Sequence, residues 1–97
     1  MTDKGSILCM DDEEMIRITI GDYLEDCGYR VYLAENGQKG LEIFREKNPD
    51  LILVDLRMPE VNGLEVLATV KKESPGTPVI VVSGTGIVRD VIEAIRL

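Results

Sequence analysis

The chain has no histidine and no tryptophan, and its aromatic residues are one phenylalanine and three tyrosines. Without histidine, imidazole acid–base catalysis and every metal site built on a ring nitrogen are excluded. Its two cysteines, Cys9 within an apolar run and Cys27 at a helix end, have no framework spacing. Both therefore read as buried small hydrophobes, which suits a reducing, cytoplasmic location. Long apolar runs are missing too: the longest are four residues, such as Val79–Val82, against the roughly 20 that a membrane-spanning helix needs. Residues 1–6 lack the apolar core of a signal peptide. Positive charge is scarce. Eleven Lys and Arg face eighteen Asp and Glu, and the net charge of -7 argues against direct binding to nucleic acid or to an anionic membrane.

What remains is an ordinary apolar fraction, 44%, in 97 residues, which predicts one domain spanning 1–97. Four short apolar segments alternate with segments of helical spacing. Ser6–Met10, Arg30–Ala34, Leu51–Asp55 and Val79–Val82 read as strands, the second nearer an edge because it starts polar. Between them, helices are predicted from about Glu13 to Asp26, from about Gln38 to Lys47, and from Gly63 or Leu64 onward. The last of these carries Leu64, Leu67 and Val70 on its expected inner face. Gly28 reads as a helix stop, Asn48-Pro49 as another, and a fourth helix is expected over Val88–Arg96. Strictly alternating strands and helices predict an α/β fold with a doubly wound parallel sheet; in the flavodoxin-like arrangement of such a sheet the strand order is 2-1-3-4.

In that order the crevice for ligands opens between strands one and three, at their carboxyl ends. The residues there are Asp11-Asp12 and Asp55. Taken alone, the run Asp11-Asp12-Glu13-Glu14 is good helix-start chemistry, with an aspartate as N-cap and glutamate in the first turn. Three carboxylates converging in one crevice, however, repel unless a cation joins them. Oxygen-only ligation selects a hard ion, Mg²⁺ or Mn²⁺ in its place. A carboxylate beside such an ion can act as a nucleophile toward a phosphoryl donor. Ser83, ending the fourth strand with Gly84 after it, could donate its hydroxyl to a phosphoryl oxygen; equally, it could start a turn or cap the last helix.

Asp11-Asp12, Asp55, Met58-Pro59, Gly63 and Ser83-Gly84, in this order and each at or just past a strand end, resemble the receiver domain of bacterial two-component response regulators. The resemblance covers essentially the whole chain. It implies that Asp55 is the phosphoacceptor, and that Asp11, Asp12, Asp55 and the backbone carbonyl of Arg57 hold Mg²⁺. Ser83 would be the switch hydroxyl, and Met58, Pro59 and Gly63 would shape a loop. A sensor histidine kinase would be the donor, docking near the first helix, and the domain would be a phosphoacceptor rather than an enzyme.

The chain departs from the family in one respect. It ends before the family's fifth strand, its lysine and its fifth helix, and Lys39, Lys47, Lys71 and Lys72 lie on other elements. A truncated receiver of this kind would have an all-apolar fourth strand at the sheet edge, and self-association through that edge or through helix four is expected. A stable, dilution-proof monomer in analytical ultracentrifugation would count against that expectation. The competing reading is a receiver fold kept as a phosphorylation-independent interaction or oligomerisation module. A flavodoxin relative is disfavoured because acidic residues stand where a phosphate cradle needs donors. A dehalogenase-type phosphatase would want an aspartate where Arg57 stands.

Overall fold

β1 (Ser6–Met10), β2 (Arg30–Ala34), β3 (Leu51–Asp55) and β4 (Val79–Val82) form one parallel sheet in the computed structural model, which describes residues 4–82. The strand order is β2-β1-β3-β4, that of the flavodoxin-like arrangement expected. The connecting helices are α1 (Glu14–Asp26), α2 (Gly37–Lys47) and α3 (Gly63–Glu73). The expected fourth helix and Ser83 lie outside the described residues.

Burial follows the period-two geometry of a strand. Ile7 and Cys9 of β1 pack with Leu53 of β3 against Ile20 and Leu24 of α1. The intervening residues, Leu8, Met10, Ile52 and Val54, pack on the other face against Phe44 of α2 and Val66 and Val70 of α3. Because both faces are covered, every residue of β1 is buried, and this is why the run reads as continuously apolar rather than alternating. β2 and β4, at the ends of the order, are only partly buried.

Each helix is bounded by identifiable chemistry. α1 ends in two reverse hydrogen bonds, Tyr29 N–H to the Leu24 carbonyl and Gly28 N–H to that of Glu25, with Gly28 at φ +98. This is a Schellman stop, which needs a residue tolerant of the left-handed region. Asn36 caps α2 through the Lys39 N–H at 2.8 Å. Asn62 and Glu65 form a reciprocal capping box on α3.

Three expectations are corrected. The inner face of α3 is Gly63, Val66 and Val70; Leu64 is 57% exposed. Helical spacing allowed either stripe, and the close approach of Gly63 to the end of β3 goes with this one. The N-cap of α1 is Glu13, with no side-chain cap of its own; the aspartate nearest in role is Asp11, whose Oδ1 accepts from Glu13 N–H at 2.8 Å. Cys9 is buried as expected, but Cys27 is only partly so, and both thiols are free.

Truncating Leu53, which is 1% exposed, should destabilise the fold by about 2–5 kcal/mol. Leu64→Ala should change stability by less than about 0.5 kcal/mol. Urea unfolding of the two variants checks the assignment, and a large loss in Leu64→Ala would place that residue in the core after all.

Candidate functional site

The sheet register brings the acidic residues together. Met10 pairs with Val54, so one further step along each strand carries Asp11 and Asp55 to adjacent positions. By the same period, they continue the series Ile7, Cys9 and Leu51, Leu53, which faces α1. Asp12 follows in the exposed turn into α1. One carboxylate oxygen from each of Asp11, Asp12 and Asp55 lies within 4.8 Å of the others. Of the residues expected to form the site, these three are brought together by the described structure.

Asp11 is 3% exposed, and its polar groups are used closely. Its N–H donates to the Ala34 carbonyl of β2 at 3.1 Å, and its Oδ1 accepts from Glu13 N–H. Its own carbonyl accepts from Arg17 Nη1 at 2.7 Å. Arg17 is a residue that the sequence reading missed. One signal was available: a cation in the first turns of a helix opposes the helix dipole, and such a placement calls for a local partner. Asp55 is half-buried at the tip of β3 and accepts the Arg57 N–H on Oδ1 at 3.3 Å. The side chain of Arg57 is solvent-exposed.

The electrostatics follow from this crowding. Burial raises the pKa of Asp11, and the neighbouring charges of Asp55, Asp12 and Glu13 add to the rise against the opposing Glu13 N–H. Burial also raises that of Asp55, with Asp12 adding and the Arg57 N–H and guanidinium opposing. Beneath the cluster, burial and then Asp11 push the Cys9 thiol up to about 12, so it carries no thiolate at neutral pH. Carboxylates held together against their own repulsion, with Asp12 open to water, make a donor set that fits a hard divalent ion.

The loop leaving β3 is tightly set. Leu56 N–H continues the sheet to the Val82 carbonyl at 2.7 Å, and Met58 tucks into the core at 6% exposure. Glu60 is a non-glycine residue in the left-handed region, at φ 67. Gly63 then donates to the Leu56 carbonyl at 3.0 Å. A Cβ at that position would meet the Asp55 carbonyl at 2.7 Å and Leu56 Cα at 2.8 Å, so only glycine lets α3 start against the end of β3. Among the described lysines, Lys39 pairs with Glu35, and Lys71 donates to the Thr77 carbonyl at 2.6 Å.

Comparison with known proteins gives a consistent result. The family described as "Response regulator receiver domain" matches residues 7–97. The chemotaxis protein CheY of Thermotoga maritima is 35% identical over 91 residues, 93% of this chain and 76% of that protein. The regulatory protein AtoC of Escherichia coli is 33% identical over 96 residues, 99% of this chain but 21% of AtoC. The chain thus spans only about a fifth of that larger relative. A response regulator receiver domain protein from Clostridium thermocellum superposes with a TM-score of 0.79 at 34% identity, covering 94% of this chain and 74% of that one.

The upward pKa shifts at Asp11 and Asp55 fix the sign of a pH effect. The folded state holds these protons more tightly than the unfolded chain, so their contribution to stability is full below about 3.8 and is lost as pH rises through the raised values. Asp55→Asn should therefore melt above the wild type in chelator at neutral pH, the gap closing toward pH 4. Mg²⁺ at about one hundred times its Kd should stabilise the wild type by about 2.7 kcal/mol. Thermal unfolding across pH, with and without Mg²⁺, checks both; an Asp55→Asn protein melting below the wild type at neutral pH would refute the first.

Proposed function

The chain belongs to the response regulator receiver domain family, and from that membership we propose that Asp55 accepts a phosphoryl group from a sensor histidine kinase. The observation that carries this reading is the gathering of Asp11, Asp12 and Asp55 within 4.8 Å at the crevice between β1 and β3. An Asp55 carboxylate oxygen attacks phosphorus as the donor's P–N bond breaks. The product is an acyl phosphate on Asp55, and the phosphohistidine reverts to histidine. The domain is a phosphoacceptor of a cytoplasmic phosphorelay, not an enzyme acting on other substrates.

Asp11, Asp12, Asp55 and the Arg57 backbone carbonyl would hold Mg²⁺, with Mn²⁺ as a substitute. Bound there, the ion supplies positive charge that offsets the incoming phosphoryl oxygens. The chain's own groups do the rest. The Arg57 N–H holds Asp55 Oδ1. Met58 and Gly63 hold the loop beyond Asp55 against the core and the strand end. Ser83 is assigned as the switch hydroxyl on its position: Val82 pairs with Asp55, and Ser83 is the next residue. The kinase docks beside the crevice, near α1.

Incubation with Mg²⁺ and a small acyl phosphate donor should add the mass of one phosphoryl group. The gain should disappear in Asp55→Asn and without divalent ion, and it should fall by at least about tenfold in rate in Asp12→Ala. No gain in the wild type would instead favour the phosphorylation-independent interaction module.

A further inference from the structure

We infer that Arg17 is a positioning residue for the acidic loop, one that fixes where the Asp11 and Asp12 carboxylates stand relative to Asp55. The inference rests on the metal-holding role given above to those aspartates. Arg17 lies on the second turn of α1, one turn past Glu13, whose carbonyl accepts its N–H at 3.1 Å. From there its Nη1 reaches back across the turn to the Asp11 carbonyl at 2.7 Å. That carbonyl belongs to the peptide joining Asp11 to Asp12, so anchoring it sets the plane of the peptide from which Asp12 departs. Asp11 is thereby held at three points from three directions: Ala34 of β2 at its N–H, Glu13 at Oδ1, and Arg17 at its carbonyl. The hold on Oδ1 fixes the orientation of the carboxylate that Asp11 brings to the cluster.

The bond is charge-assisted and partly buried, the setting in which a single hydrogen bond holds geometry best. The guanidinium thus stands beside the Asp11–Asp12 peptide, at the edge of the crevice. A cation there repels a divalent ion. Its removal would on Coulomb grounds tighten metal binding, whereas loss of positioning would weaken it. The two effects therefore have opposite signs.

Arg17→Ala should bind Mg²⁺ about tenfold more weakly than the wild type by titration calorimetry, the size expected when a group that orients a metal ligand is lost. Arg17→Lys, which keeps the charge and one donor, should recover part of that loss. In metal-free protein the Glu13 amide should exchange its hydrogen faster in Arg17→Ala, because its acceptor on Asp11 is no longer held. Unchanged or tighter Mg²⁺ binding in Arg17→Ala would overturn the inference, as would unchanged Glu13 exchange. A wild type that binds no Mg²⁺, with Glu13 exchange still accelerated in Arg17→Ala, would overturn the metal reading and leave Arg17 holding the loop.

Discussion

Two parallel strands, each buried on both faces, end side by side in aspartate. The repulsion this creates is the constraint that the rest of the site answers. Two unit charges about 5 Å apart repel by roughly 3 kcal/mol at the effective dielectric of a protein surface. Nothing in an isolated loop would hold Asp11 and Asp55 together against that. The pairing of β1 with β3 does, because moving either carboxylate away means breaking the ladder between these strands, whose facing residues such as Cys9 and Leu53 are almost fully buried. The cluster is strained electrostatically and rigid mechanically, and both properties favour capture of a divalent cation.

The surrounding elements act on this constraint in different ways. β2 takes the Asp11 N–H, and α1 takes its carbonyl through Arg17. The loop after β3 is pinned by Met58 below and by the glycine-only contact of Gly63 with the strand end. The sheet face opposite the cluster carries the larger core, built on Leu8, Met10, Ile52, Val54, Phe44, Val66 and Val70. Rigidity is thus concentrated beneath the acidic residues, while Asp12 at the mouth stays accessible to water and to a partner.

Much of this was legible before any coordinates. The four strands and the bounds of β1, β2 and β4 follow from short apolar runs between turn signals, since a doubly covered strand must be apolar throughout; their order rested on the flavodoxin-like arrangement rather than on the runs. Gly28 as a stop and Asn48-Pro49 as a break were readable from backbone preferences alone. Helix rotation was less legible. Leu64 and Val66 are both apolar, and it is the tertiary approach of Gly63 to the end of β3 that goes with Val66 turned inward. The part played by Arg17 was less legible too: its place in the opening turns of a helix marks it, but its partner is a main-chain carbonyl, which leaves no mark in side-chain chemistry.

The amino-acid order by itself determined the elements, the fold class and the placing of acid at the ends of strands one and three, because strand periodicity and turn chemistry are local. Tertiary structure alone decided that the three carboxylates lie within 4.8 Å. It also decided that Asp11 is buried and held at three points, and which helix faces turn inward. Those outcomes depend on register and on the relative rotation of packed elements, which are settled by contacts between residues far apart in the chain.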